Sequence, residues 1–206
     1  MRKKRPIERQ AGLVRDAILV VIASEDTYAV KQYFEFFHST RIQFRVLSTT
    51  DGNSSPEHVL SRLKDYLAHY QIGKGDQLWL VCDTDHWIEP NHIATMRNVV
   101  ARCRQRDIGV AISNPCFELW LLLHFTELST GTMTCGEIGQ QIRNAVGSYN
   151  KTEVSDLPLT LDRVAAAIRR AQANEPPADG IPGLMQTNVF RVIEDLVARK
   201  IVTLSD

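Results

Sequence analysis

The chain lacks several features that would settle its class at once. Its four cysteines, Cys82, Cys103, Cys116 and Cys135, stand singly, with no C-x-x-C pair. That spacing argues against zinc and against a disulfide framework, and it suits a reducing cytoplasm. No apolar run approaches the ~20 residues that a membrane-spanning helix needs. The basic N-terminus, Met1-Arg-Lys-Lys-Arg-Pro6, is not followed by a signal-peptide core. A cytoplasmic protein with no membrane contact is the expectation. Net charge is absent too, since 24 basic residues balance 24 acidic ones. An autonomous nucleic-acid-binding domain normally carries a basic excess, so a nucleic-acid substrate would need a partner chain to help hold it. The basic residues that do cluster are Arg2-Lys-Lys-Arg5 and then Arg97, Arg102, Arg104 and Arg106. They read as a tail and a solvated helix face. A P-loop is also missing. Gly131-Thr-Met-Thr-Cys-Gly136 has the glycine spacing, but Glu137-Ile138 replaces the required Lys-Ser/Thr. Any ATP hydrolysis in the system therefore belongs to another chain.

What the chain does have is acid at the ends of apolar strands. Trp79-Leu-Val-Cys-Asp83-Thr-Asp85 runs an apolar strand straight into two carboxylates spaced one residue apart. Ala17-Ile-Leu-Val-Val-Ile-Ala23 does much the same and ends in Ser24-Glu25-Asp26. Carboxylates gathered at buried strand ends repel one another and lose hydration unless something positive lies between them. A divalent cation answers both problems, and hard oxygen ligands suit Mg²⁺ or Mn²⁺. The pattern points to a metal-dependent site that handles phosphate esters. Taken alone, aspartates after strands are also common loop formers and helix caps.

A hydrophobic content of 44% and a charged content of 23% are those of an ordinary globular protein. The spacing divides the chain into a basic tail (1–16), an α/β core (17–126) and a helical C-terminal extension packed on it (127–206). In the core, Val30, Tyr33, Phe34 and Phe37 recur at helical spacing after the first strand. Phe44-Arg-Val-Leu-Ser48 reads as a strand. Ser55 caps a helix with Pro56 in its first position and Glu57 at the positive end of the dipole. A third helix spans about 91–106, and Ile108-Gly-Val-Ala-Ile112 is the fourth strand. Four short strands separated by three helices predict a Rossmann-like parallel sheet of about four strands flanked by helices. In such sheets the ligand site lies outside the carboxyl ends of the strands. Glu25, Asp83 and Asp85 meet there only if the first and third strands are neighbours. From Pro115 onward no strand is evident. One amphipathic helix is marked by Leu161, Val164, Ala165 and Ile168, and another by Val189, Val192, Ile193, Leu196 and Val197. A breaker-rich loop at residues 174–183 lies between them.

The stretch Ser113-Asn-Pro-Cys-Phe-Glu-Leu-Trp-Leu-Leu-Leu-His-Phe125 predicts a helix capped by Asn114 and opened by Pro115. It has hardly any polar face, so it is buried on most sides. Glu118 stands one turn in, and two accounts fit it. It either complements the helix dipole or pairs with an arginine, or it supplies a further carboxylate that helps hold a metal-bound water. His124 lies about 240° around the helix from Glu118 at ~100° per residue, so it is read as a core histidine. His86, beside the acidic pair, is read as a solvated loop residue.

Taken together, Glu25-Asp-Thr-Tyr-Ala-Val-Lys-Gln-Tyr33-Phe34, Asp83-Thr-Asp85 and the Ser113–Phe125 stretch resemble the RloB family. Tyr149-Asn-Lys151 and the last helix resemble that family's tail. RloB-like proteins are similar to TOPRIM domains, the metal-binding fold of topoisomerases, primases and OLD-type nucleases. The resemblance implies that Glu25 is the TOPRIM glutamate and that Asp83 and Asp85 are its D-x-D pair. It also implies a bacterial defence context, beside restriction genes or an ATPase partner of the AAA or ABC type. Other TOPRIM defence effectors cut nucleic acid, tRNA included, when an ATPase sensor releases or activates them. The chain departs from the family at two places: Glu25-Asp26 stands for Glu-Gly, and Ala29-Val30 for Thr-Glu. Lys31-Gln-Tyr-Phe34 still aligns without gaps, which favours Glu25 over Asp26 as the equivalent position.

The expected activity is Mg²⁺- or Mn²⁺-dependent phosphodiester hydrolysis of DNA or tRNA, with Glu25, Asp83, Asp85 and Glu118 as catalytic candidates. Asp83 and Asp85 are read as metal ligands. Glu25 is read as general base toward the attacking water or as a ligand of a second metal. The alternative is a catalytically degenerate regulatory or scaffold subunit docked on an ATPase. A receiver-like phosphoacceptor also uses acids at these strand ends, but it expects a lysine after a fifth strand. The sequence leaves a homo-oligomer open.

Overall fold

The computed structural model describes residues 17–49, 52–84, 90–128, 130–174 and 180–204. The tail assigned to residues 1–16 lies outside them. Among the described residues, β1 (Ile18–Ser24), α1 (Ala29–Glu35), β2 (Ile42–Leu47), α2 (Pro56–His69), β3 (Gln77–Asp83), α3 (Pro90–Arg104) and β4 (Gly109–Asn114) alternate along the chain. They are followed by α4 (Glu118–Leu123), α5 (Cys135–Val146), a 3-10 turn (Val154–Asp156), α6 (Leu161–Gln172), β5 (Gln186–Thr187) and α7 (Phe190–Ala198).

The sheet order is β2-β1-β3-β4-β5. The first four strands run parallel, with Ile18 opposite Ile42, Val20 opposite Gln77 and Trp79 opposite Gly109. The first and third strands are therefore neighbours, as an acidic site at their ends requires. β1 shows why: Val20, Val21, Ile22 and Ala23 are all fully buried. A strand apolar on both faces is stable only in a sheet covered on both sides. Its alternate residues feed two cores. Val20 and Ile22 join α1, α4 and the helices α5 to α7 on one face. Leu19, Val21 and Ala23 join α2 and α3 on the other. No helix among the described residues is long and apolar enough to cross a membrane.

Local signals match where they are strong. Ser55 Oγ accepts from the His58 N–H (3.3 Å), and Pro56 occupies the first helical position of α2. The structure differs from the sequence reading at four points. The sheet has a fifth strand. Gln186 and Thr187 pair antiparallel to Asn114 and Ser113, and two residues are too few to show a period. The second half holds an additional long helix, α5, opened by a capping box between Thr134 and Glu137. The burying helix starts at Glu118 rather than Pro115, and Asn114 does not cap it. Asn114 is part of β4, and the Ser113 and Pro115 carbonyls both accept from the Thr84 N–H (3.0 and 3.1 Å). The next residues are thus drawn toward β3 before a helix can begin. Finally, Cys116 and Cys135 are joined by a disulfide. It links the approach to α4 with the start of α5, a pairing made by packing that no short spacing announces.

Candidate functional site

The loop after β1 folds back onto the end of β3. The Glu25 N–H donates to Val81 O (3.4 Å), and Glu25 Oε1 accepts from the Asp83 N–H (2.8 Å). Asp83 is the last residue of β3 and sits opposite Ser113 of β4. The structure therefore brings Glu25 and Asp83 together at the carboxyl edge of the sheet. Both are half-buried, so each raises the electrostatic cost of the other. The Cys82 thiol registers this. Burial pushes its pKa well above the ordinary range, and the charges of Glu25 and Asp83 add to the rise. With only these neighbours around it, the Cys82 thiol keeps its proton. Asp85 and His86 lie outside the described residues.

A cation not picked out from the sequence stands beside this pair. Arg62 of α2 donates through Nη1 to Ser24 O (2.6 Å) and Leu47 O (3.4 Å), and through Nη2 to Asn53 O (2.6 Å). Its charge opposes the effect of Glu25 and Asp83 on Cys82. One guanidinium thus ties the ends of β1 and β2 together and offsets the local acid. A planar fork of donors suits this task, and an ammonium group does not.

Asp26 has a different job from Glu25. Its Oδ1 accepts from the backbone N–H groups of Tyr28 (2.7 Å), Ala29 and Val30 (3.4 Å). It satisfies donors that the first turn of α1 would otherwise leave open. The Asp26 N–H in turn donates to Ser24 Oγ (3.0 Å).

Glu118 belongs to a neighbouring feature. As the first residue of α4 it lines a cavity of about 360 Å³ together with Arg143, Tyr149, Asn150 and Lys151. The Tyr149 phenol is pushed far up, first by burial and then by the charges of Glu118 and Asp26, with Arg143 acting against them. The cavity wall therefore lies within electrostatic reach of Asp26, the residue that follows Glu25. Gln32 of α1 fastens the segment that carries Lys151: its Nε2 donates to Thr152 O (2.8 Å), and its Oε1 accepts from the Ser155 N–H (3.2 Å).

His124 is a core residue. Nδ1–H donates to Trp120 O (2.9 Å), and Nε2 accepts from the Tyr33 hydroxyl (3.1 Å). A carbonyl can only accept, which fixes the tautomer.

The donor set has the right character for a hard divalent cation. Glu25 and Asp83 are carboxylates, and Mg²⁺ is commonly bound through one or two carboxylates with several waters retained. At the same strand ends, Thr84 Oγ1 and Asn114 Oδ1 are buried without a hydrogen-bond partner, and both are hard oxygens. Among the described residues, no group of three His, Cys, Asp or Glu side chains is placed to hold a metal ion. Asp85 would have to complete such a set.

A family model described as RloB-like protein matches residues 20–196, a span that contains Glu25, Asp83, Asp85, Glu118 and the cavity residues. No curated protein matches the chain, and no solved structure does.

Proposed function

Since the chain belongs to the RloB-like family, we propose that it is a metal-dependent nuclease of TOPRIM type, part of a bacterial anti-phage defence system. Its substrate is DNA or RNA such as tRNA, and its partner is an ATPase of the AAA or ABC type. The observation that carries this reading is the docking of Glu25 onto Asp83 at the ends of adjacent parallel strands.

In this reading Asp83, with Asp85, holds Mg²⁺ or Mn²⁺ through carboxylate oxygens. When bound, the ion supplies positive charge to the scissile phosphate and its leaving oxygen. Glu25 accepts the proton of the attacking water or lends an oxygen to a second ion. Its Oε1 is oriented by the Asp83 N–H, so the carboxylate is positioned before substrate arrives. Glu118 adds a carboxylate on the cavity side, where it can help hold water. Arg62 keeps the edge assembled by bridging the strand-end carbonyls.

A second reading is a degenerate scaffold subunit of the same complex. Asp26 favours it, because its carboxylate occupies backbone amides of α1 that the family's glycine would leave open. The deciding experiment is cleavage of DNA and tRNA with Mg²⁺ or Mn²⁺, by the chain alone and with its ATPase, compared with Asp83→Ala. Cleavage that disappears in the variant supports the nuclease. Absence of both cleavage and calorimetric metal binding would sink that reading in favour of the scaffold.

A further inference from the structure

We propose that the cavity between α4 and α5 is a phosphate subsite, which holds a backbone phosphate of the substrate strand beside the cut. The assignment rests on the nuclease reading and names the part of this site that grips the strand. Net charge for the chain is zero, so whatever grip this chain itself has on the strand comes from local cations, and the cavity has them.

Arg143 and Lys151 line it from two different segments, the last turn of α5 and the loop that follows. Both are exposed, and among the described residues neither makes an ion pair. Gln140 Oε1 accepts from Arg143 Nε (3.0 Å), while Gln140 Nε2 donates to Asn144 Oδ1 (2.9 Å). Gln140 thus orients the guanidinium through its inner nitrogen and leaves the two terminal amino groups for an anion. That fork is the geometry that grips phosphate oxygens in pairs. The Lys151 loop is also ordered. Asn150 Oδ1 accepts from the Thr152 N–H (3.1 Å), and Asn150 Nδ2 donates to Glu153 Oε2 (2.9 Å).

Tyr149 supplies the third element. Its hydroxyl is buried in the cavity wall against the Glu118 carboxylate, to which it donates and which an incoming phosphate oxygen would replace as acceptor. Burial and the nearby carboxylates keep the proton on it, so it can donate to an anion. The ring packs against Gly139 at contact distance, 3.6 Å from where a Cβ would lie. It is therefore a fixed wall and not a mobile stacking platform, which favours a phosphate over a base as occupant. One carboxylate, Glu118, shares the lining. Two cations against one anion leave a net attraction for phosphate. Tyr149 also feels the charge of Asp26, the residue that follows Glu25.

The test is fluorescence anisotropy with a labelled single-stranded oligonucleotide and a labelled tRNA, in EDTA, across a salt series. The full chain is compared with Arg143→Gln/Lys151→Gln, Tyr149→Phe and Asp83→Asn, each checked for an unchanged melting temperature. The double variant is expected to bind about 10- to 100-fold more weakly, with the salt slope reduced by about one for each cation removed. Tyr149→Phe is expected to weaken binding several-fold without changing that slope. Asp83→Asn is expected to bind at least as tightly as the unaltered chain and to lose cleavage. Binding by the double variant equal to that of the unaltered chain would overturn the subsite, and so would an unaltered chain that binds neither strand. Binding that depends on Arg143 and Lys151, with no metal-dependent cleavage by any form, would uphold the subsite and overturn the nuclease.

Discussion

Glu25 Oε1 lies 2.8 Å from the backbone nitrogen of Asp83 and accepts its hydrogen bond. That contact couples two sequence signals lying on different strands. It exists because β1 and β3 pair in parallel with Ser24 opposite Val81, so the loop after β1 emerges beside the end of β3. The carboxylate at position 25 is thus held by the backbone of β3, at the residue where that strand ends.

Removing either charge separates catalysis from stability. In Asp83→Asn and Glu25→Gln the side chains keep their size, and glutamine keeps an oxygen for the Asp83 N–H. Cleavage is expected to fall by about 100-fold or more. Stability is expected to change by less than about 1 kcal/mol, because a neighbouring repulsion is relieved. Single-turnover cleavage and urea denaturation on the same preparations check this. A large stability loss would assign the pair to the scaffold and not to chemistry.

Arg62 is the opposite case. Arg62→Met removes donors from the carbonyls of Ser24, Leu47 and Asn53 and the positive charge beside Glu25 and Asp83. A loss of about 2–4 kcal/mol in urea denaturation is expected. Arg62→Lys recovers only part of it, since one ammonium cannot span three separate carbonyls. Full recovery by lysine would show that charge alone matters.

Much of this fold is legible in the sequence because its signals are local. Alternating strand and helix periods gave the parallel sheet, and the acidic strand ends pointed to the edge where Glu25 and Asp83 meet. What stayed hidden depends on distance along the chain. Arg62 reads as an ordinary solvated helix residue until the carbonyl ends of β1, β2 and the following loop converge on it. The Cys116–Cys135 link needs α4 and α5 to pack. Asn114-Pro115 carried a cap signal, yet pairing with Gln186 claimed Asn114 for the sheet. For α5 a signal was present, since Thr134 and Glu137 have capping-box spacing.

Asp26 tests the departure from the family's Glu-Gly pair. Asp26→Ala is expected to destabilise the chain by about 1 kcal/mol, the usual cost of a lost helix cap. Asp26→Gly should cost only a few tenths more than the native residue. Both variants remove the carboxylate that follows Glu25, so a change in cleavage shared by Asp26→Ala and Asp26→Gly would give Asp26 a part in the site beyond capping. Equal activities in all three forms would confine Asp26 to capping. Thermal melts and cleavage assays give both readouts.

The buried His124 makes stability depend on acid in a defined window. Burial, reinforced by the charges of Arg170 and Arg163, lowers its pKa from 6.5 to about 4. The unfolded chain therefore takes up a proton below pH 6.5 that the folded chain refuses until pH about 4. Stability from this residue is complete above pH 6.5 and is lost as pH falls through that window. Between pH 7 and 5 the loss is about 2 kcal/mol. His124→Gln keeps an acceptor for Tyr33 and a donor for Trp120 O but does not titrate. It is expected to be less stable than the native chain at pH 7, with the gap narrowing by about 2 kcal/mol at pH 5. Urea midpoints at the two pH values measure the gap directly, and a gap that stays constant would remove His124 as the source of acid sensitivity.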